Sequence, residues 1–223
     1  VSCAKAPDLH DDENVLNARG NGNRMEFRQF SIPGPIAILP VRHGDARGYF
    51  SEIFRADRFA QHVGPVELVQ ENQSLSAQVG TIRGLHFQTP PAAQGKLVRC
   101  IAGAIFDVAV DIRHDSPSFG QWVAAELSAD NGHQLWVPPG FAHGFCTLKA
   151  NSIVAYKVSS YYSPENDRGM AWDDPALAIT WPDLADAATL SAKDRVQPRF
   201  ADLGPIFSVK DYQPEGLDAC GSS

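Results

Sequence analysis

The sequence predicts an all-β fold, a sandwich or barrel with a few short helices at its periphery. Three observations lead there. Apolar residues recur with period 2 or in short continuous runs rich in Val, Ile, Phe and Trp. Gly, Pro and Asn-Gly break these runs at short intervals. The runs also follow one another too closely to leave room for the helices of alternating β and α units.

In chain order, residues 1–24 are polar, Asn- and Gly-rich and aperiodic, and are expected to be a disordered extension. A single domain is expected over residues 25–212, followed by a loose tail over 213–223. Within the domain "ADRFAQHV" reads as a helix closed by Gly64, and "TIRGLHFQ" (81–88) as a strand. The clearest strands follow: "GKLVRCIAG", "AIFDVAVDIR", "GQWVAAELS", "HQLWVPP", "HGFCTLKA" and "SIVAYKVSSYYS". A short helix is expected at "DPALAI", where Pro175 suits a first turn, and a turn at "SAKD". No internal repeat or low-complexity block interrupts the series.

The 223 residues are 43% hydrophobic, enough for a sizeable core. The net charge of −7 is spread along the chain without a basic block, which disfavours nucleic acid and anionic membrane surfaces as partners. An anionic ligand would need a local basic pocket. Of the four cysteines, Cys3 and Cys220 lie near the ends, while Cys100 and Cys146 sit in apolar runs where cysteine behaves as a small hydrophobe. No apolar run approaches the roughly 18 residues that span a bilayer, and the N-terminus lacks the order of a signal peptide. A cytoplasmic location is expected.

Two spacings carry the chemistry. From Gly80 the order is five residues, His86, one residue, Gln88; from Gly132 it is five residues, Pro138, one residue, Gly140, two residues, His143. These resemble the two motifs of the cupin superfamily, which implies a jelly roll or double-stranded β-barrel. The departures are Thr147 where Asn is usual, Gln88 in place of a second histidine, and no Glu before Gly95. An amide is a poor ligand for a transition metal, so no metal site is expected. His86 is then free for proton transfer, since imidazole titrates near neutrality. Arg83 and Lys96 flank it in sequence, and cations facing into a barrel call for an anion to meet them.

At a finer level "RGYFSEIF", "RGLHFQ", "QGKLVRCIAGAIFDVAVDIR", "SPSFGQW", "LWVPPGFAHGF", "YKVSSYYSP" and "LSAKD" resemble the dTDP-4-dehydrorhamnose 3,5-epimerase family, in that family's order, over about residues 25–195. The resemblance implies a dTDP-linked 4-keto-6-deoxyhexose substrate, no cofactor, and epimerisation at C3 and C5 through an enolate on the route to dTDP-L-rhamnose. It also implies His86 as base, Tyr156 as the proton donor opposite, Lys96 as the cation at the enolate oxygen and Asp194 as the partner of His86. Arg47, Glu52, Gln70, Asn72, Arg83, His143, Asp167 and Lys193 would contact substrate, with Tyr162 stacked upon it. A homodimer sharing N-terminal strands is implied, "RGYFSE" reaching the neighbour's site.

Each residue also has a plainer reading. His86 could be a satisfied core histidine, and Tyr156 alternates with Val154 and Val158 as a core residue would. Asp194 follows Ser191 in a helix-start capping pattern, and Lys96 could be a solvated strand end. Arg47 could be a turn residue beside Gly48, and Glu52 a solvated strand position. Asp107 and Asp111 either brace the site or face water, while Asp173 and Asp174 read as a cap before Pro175. Competing functions are an epimerase acting at one carbon only, a metal-dependent cupin oxygenase or isomerase, and a sugar- or nucleotide-binding module without turnover.

Overall fold

The computed structural model describes residues 24–211, together with the backbone of Val15–Leu16. The expected extension and tail therefore fall outside the described residues, apart from Arg24 and that dipeptide, which pairs in parallel with Ala124 and Ala125. Cys3 and Cys220 fall outside as well.

Among the described residues fourteen strands and one α-helix follow in order: β1 Val15–Leu16, β2 Glu26–Gln29, β3 Ile36–Leu39, β4 His43–Asp45, β5 Gly48–Phe50, α1 Ala56–Val63, β6 Gln70–Ser76, β7 Ile82–Gln88, β8 Lys96–Ala102, β9 Ala104–Asp111, β10 Trp122–Ser128, β11 Gln134–Val137, β12 Phe141–Thr147, β13 Ser152–Val158 and β14 Asp167–Gly169. They build two six-stranded sheets, ordered β1-β10-β9-β12-β7-β14 and β2-β3-β11-β8-β13-β6, and a separate hairpin of β4 and β5. This is the expected all-β, cupin-like jelly roll.

From β6 to β14 every consecutive pair of strands except β9–β10 crosses between the sheets, and Gly103 shows how. It separates β8 in one sheet from β9 in the other at φ +75°, where an added Cβ would lie 2.3 Å from Ser152 Oγ. Only glycine both adopts that conformation readily and fits the space.

Three apolar layers result. Between the sheets lie Val98, Cys100, Ile105, Ala109, Leu135 and Val154. On the far side of the first sheet Phe106, Val108 and Leu85 pack against Met170, Leu177 and Phe207, so β9 is buried on both faces. Helix α1 turns Phe59 and Val63, four residues apart, onto Trp136 and Ile38. Gly64 ends it at φ +108°, its N–H donating to the Ala60 carbonyl.

"DPALAI" corrects an expectation, because it forms a turn and not a helix. Asp174 accepts from the N–H groups of Ala176 and Phe200, and Ala178 takes φ +47°, which stops helical propagation after one turn. Asp174 thus caps a turn, while Asp173 pairs with Arg199 at the surface. The turn at "SAKD" forms and runs into a short 3-10 turn, Asp194–Val196. Cys100 and Cys146 are free and buried, and burial pushes their thiols up to about 11 and about 12. Among the described residues no helix is long and apolar enough to cross a membrane.

Candidate active site

At one end of the sandwich the inward faces change from apolar to polar. Along β8 the inward residues run from Cys100 and Val98 in the core to Lys96 at the rim. Val158 pairs with both Lys96 and Gln70, and Tyr156 pairs with Asn72, which sets all four polar residues on one sheet face. The opposite sheet contributes His86 and Gln88 from β7 and Asp167 from β14. Together they line a cavity of about 360 Å³, to which loops add Gln94 and Tyr162.

His86 is half-buried, with Nε2 2.5 Å from Asp194 Oδ1. Burial works to raise the Asp194 pKa, but the His86 hydrogen bond and charge, the Ser191 bond and Lys193 outweigh it and hold the group below its ordinary value. An ionised carboxylate only accepts, so the nitrogen facing Asp194 carries the proton and the other is left to accept one. The capping pattern is present too: the Asp194 N–H donates to Ser191 Oγ at 3.1 Å. Both readings of Asp194 hold, one using its backbone and the other its carboxylate.

Lys96 is half-buried beside this pair, its Nζ donating to the His86 carbonyl at 3.3 Å. Burial lowers its pKa to about 8, against the opposing pull of Asp167 and Asp107. Tyr156 stands on the facing sheet, its ring against the core and its side chain lining the cavity. Burial raises the phenol's pKa, although the Arg83 charge and the Asn72 hydrogen bond act the other way. It is therefore a protonated donor at neutral pH.

The remaining residues divide by the partners they find. Gln70 donates to Asn72 Oδ1 at 2.8 Å, and Asp167 accepts from Lys193 Nζ and from the Tyr162 hydroxyl, the latter at 3.1 Å. Arg83 bonds Ser76 Oγ and the Leu75 carbonyl, placing its charge near the phenol of Tyr156. His143, opposite His86 in the β7–β12 pairing, is buried with Nε2 2.8 Å from Asp107 Oδ1. Arg47 and Glu52 are not brought here: Arg47 pairs with Asp45 on the β4–β5 hairpin with 90% of its side chain exposed, and Glu52 lies 4.0 Å from Arg55.

Asp107 and Asp111 do not face water; both are fully buried. Asp111 is satisfied by Arg113, Ser116 and Ser118. Asp107 braces His143, and its Oδ2 has no hydrogen-bond partner among the described residues. The sequence signal for Asp107 was its place in an otherwise apolar run, where a carboxylate must find a partner. Gln94 was given no role, although it opens the family-like run "QGKLVRCIAGAIFDVAVDIR".

An imidazole oriented by a carboxylate, a phenol on the opposing wall and a lysine beside the imidazole can remove a proton from carbon, hold an enolate and return a proton. Residues 29–202 match the model of the family described as dTDP-4-dehydrorhamnose 3,5-epimerase. The chain belongs to that family. The match spans every cavity residue from Gln70 to Asp167 and the Asp194 partner. A dTDP-4-dehydrorhamnose 3,5-epimerase of Sinorhizobium fredii is 58% identical over 185 residues, 83% of this chain and 94% of that one. The enzyme of that name from Bacillus anthracis, solved with TDP and pyrophosphate bound, superposes with a TM-score of 0.75 at 47% identity, covering 78% of this chain and 99% of its own. A dTDP-6-deoxy-D-glucose-3,5-epimerase from Legionella pneumophila, in complex with dTDP-4-keto-L-rhamnose, gives 0.78 at 42% identity, covering 83% and 98%.

Proposed function

We propose that this cavity performs the family's isomerase reaction, epimerisation of dTDP-4-dehydro-6-deoxy-D-glucose at C3 and C5 to dTDP-4-dehydro-L-rhamnose. The C4 ketone acidifies the hydrogens on both neighbouring carbons. His86 takes one, the C–H electron pair moves into the enolate, and the charge on O4 meets the Lys96 ammonium. Tyr156 gives its proton to the opposite face of the carbon and regains one from solvent, while His86 releases to solvent the proton it took. Repeated at the second carbon, the cycle balances in protons alone, with no net electron transfer. Asp194 keeps the His86 ring aligned and stabilises the imidazolium formed in each cycle.

The observation that carries this reading is the origin of His86 and Tyr156 from opposing sheets across one cavity. Inversion at carbon needs groups on two faces of the sugar ring, whereas a binding module does not. Around this centre Gln70, Asn72, Arg83, His143, Asp167 and Lys193 are assigned to substrate contact, and Tyr162 to stacking on the thymine. Arg47 and Glu52 are assigned to the cavity of a second copy in a homodimer. That assignment is supported by the exposed aromatic pair on the β4–β5 hairpin, which carries Arg47 at its turn and precedes Glu52: Tyr49 is 60% and Phe50 72% exposed. Residues 25–212 are read as one catalytic domain, because the apolar layer between the sheets is common to both. The free thiols Cys100 and Cys146 suit the reducing cytoplasm.

The test is incubation with the 4-keto nucleotide sugar in deuterated water, followed by NMR. The native enzyme should place deuterium at C3 and C5 of an inverted product. His86→Ala should slow exchange on the order of 10²- to 10⁴-fold. Tyr156→Phe should exchange without completing inversion. Undiminished exchange in His86→Ala, or normal product from Tyr156→Phe, would remove the residue concerned from its role.

A further inference from the structure

The segment after β13, residues 159–163, carries Tyr162 yet has little core beneath it: Tyr161 and Tyr162 are 68% and 57% exposed. Its backbone is held instead by glutamine side chains that line the cavity. Gln94 donates to the Ser160 carbonyl at 2.7 Å. Gln88 donates to the carbonyls of Tyr161 at 3.1 Å and Ala92 at 2.8 Å, while its oxygen accepts from the Ser163 N–H at 2.9 Å. Gln70 accepts from the Tyr162 N–H at 3.1 Å. Backbone groups have fixed donor and acceptor roles, so these partners also fix which way each amide points.

Gln88 is 4% exposed and uses both of its donors and its acceptor on main chain. Its strand neighbour across the β7–β14 ladder is Asp167, the acceptor of the Tyr162 hydroxyl. One strand pair thus anchors the backbone around Tyr162 on one side and the phenol on the other. A glutamine pointing into a ligand cavity, with its polar capacity committed to an otherwise loosely packed loop, serves that loop's geometry before any direct contact with ligand.

We propose that Gln88 and Gln94 are positioning residues that hold residues 160–163 so that Tyr162 is pre-set against the nucleotide, and that they govern nucleotide affinity and not the proton transfers. The inference rests on the reading of Tyr162 as the stacking residue. Fixing a loop before binding removes the ordering entropy that the ligand would otherwise have to offset.

Neutral, near-isosteric variants test it: Gln88→Met, Gln94→Met, Tyr162→Ala and each glutamine variant combined with Tyr162→Ala. The readouts are calorimetric Kd for dTDP, kcat and KM for the nucleotide sugar, and the thermal midpoint. Losing an aromatic–base stack corresponds to about tenfold in affinity, and Gln88→Met and Gln94→Met should each raise Kd and KM by up to that factor. Their kcat should stay within about twofold of the native value. On the Tyr162→Ala background the same substitutions should add less than about twofold, because the coupled element is already gone. Factors that multiply independently of Tyr162, or a fall in kcat at constant KM, would overturn the inference. Native affinity in both glutamine variants beside a weakened Tyr162→Ala would overturn it alone, whereas native affinity in Tyr162→Ala would overturn the stacking assignment as well. Gln94 is the less buried of the two, so Gln94→Met carries the test should Gln88→Met not fold.

Discussion

Lys96 is a cation placed where burial works against its charge. The same burial would strengthen its proposed effect on an enolate, because a charge acts further in a low-dielectric site than in water. Its pKa of about 8, lowered by desolvation and partly restored by Asp167 and Asp107, sets where this advantage ends. The ammonium is present below that pH and absent above it, so kcat should fall as pH rises through about 8. Lys96→Met should lose on the order of 10²- to 10³-fold in kcat and, with it, the alkaline limb that Lys96 causes. A pH–rate profile of both proteins decides the matter; an unchanged alkaline limb in the variant would assign it to another group. Lys96 sits at the rim end of β8, the same position that made it readable as a solvated terminus. Sequence supplies the residue and its strand, while the depth of burial that tunes it comes from the facing sheet.

The elements divide into those that hydrophobicity marks and those it does not. Strands β8 to β13 are legible because their inward residues enter a core and alternate or run continuously apolar. Strand β6, "QENQSLS", is invisible to that criterion, since Gln70 and Asn72 on its inward face line a cavity. Functional strands lose their apolar period where they serve a ligand. "DPALAI" fails for the opposite reason, a local helix signal overridden by the side-chain bonds of Asp174. Strand β9 contains both kinds of face: Asp107 points toward His143, and Phe106 points away, edge-on to Trp181 with ring centroids 6.1 Å apart. Because Phe106 is 1% exposed within the outer apolar layer, Phe106→Ala should lower unfolding free energy by about 3–5 kcal/mol. Urea titration measures this, and KM of the folded fraction should hold. A loss below about 1 kcal/mol would mean that the layer formed with residues 170–207 contributes little.

On the scale of the whole molecule, one chain supplies the imidazole, the phenol, the lysine and the Tyr162 loop, but its β4–β5 hairpin stands clear of its own cavity. Arg47 cannot be located by reading one sequence for one site, since the proposed position belongs to the geometry of two chains. A pair of individually impaired proteins separates the possibilities. Arg47→Ala leaves His86 intact, and His86→Ala leaves the hairpin intact. If hairpins act in trans, a mixed dimer holds one cavity with a native His86 body and a native Arg47 from its neighbour, and a second cavity with neither. Mixing the two variants under conditions that exchange subunits should then restore activity toward one competent site per hybrid, up to about a quarter of the native rate when hybrids form half of the population. If the hairpin serves its own chain, every cavity in every mixture carries one lesion, and mixing restores nothing. Sedimentation of the same samples reports whether dimers are present, so absent rescue in a dimeric mixture would count against the shared hairpin itself.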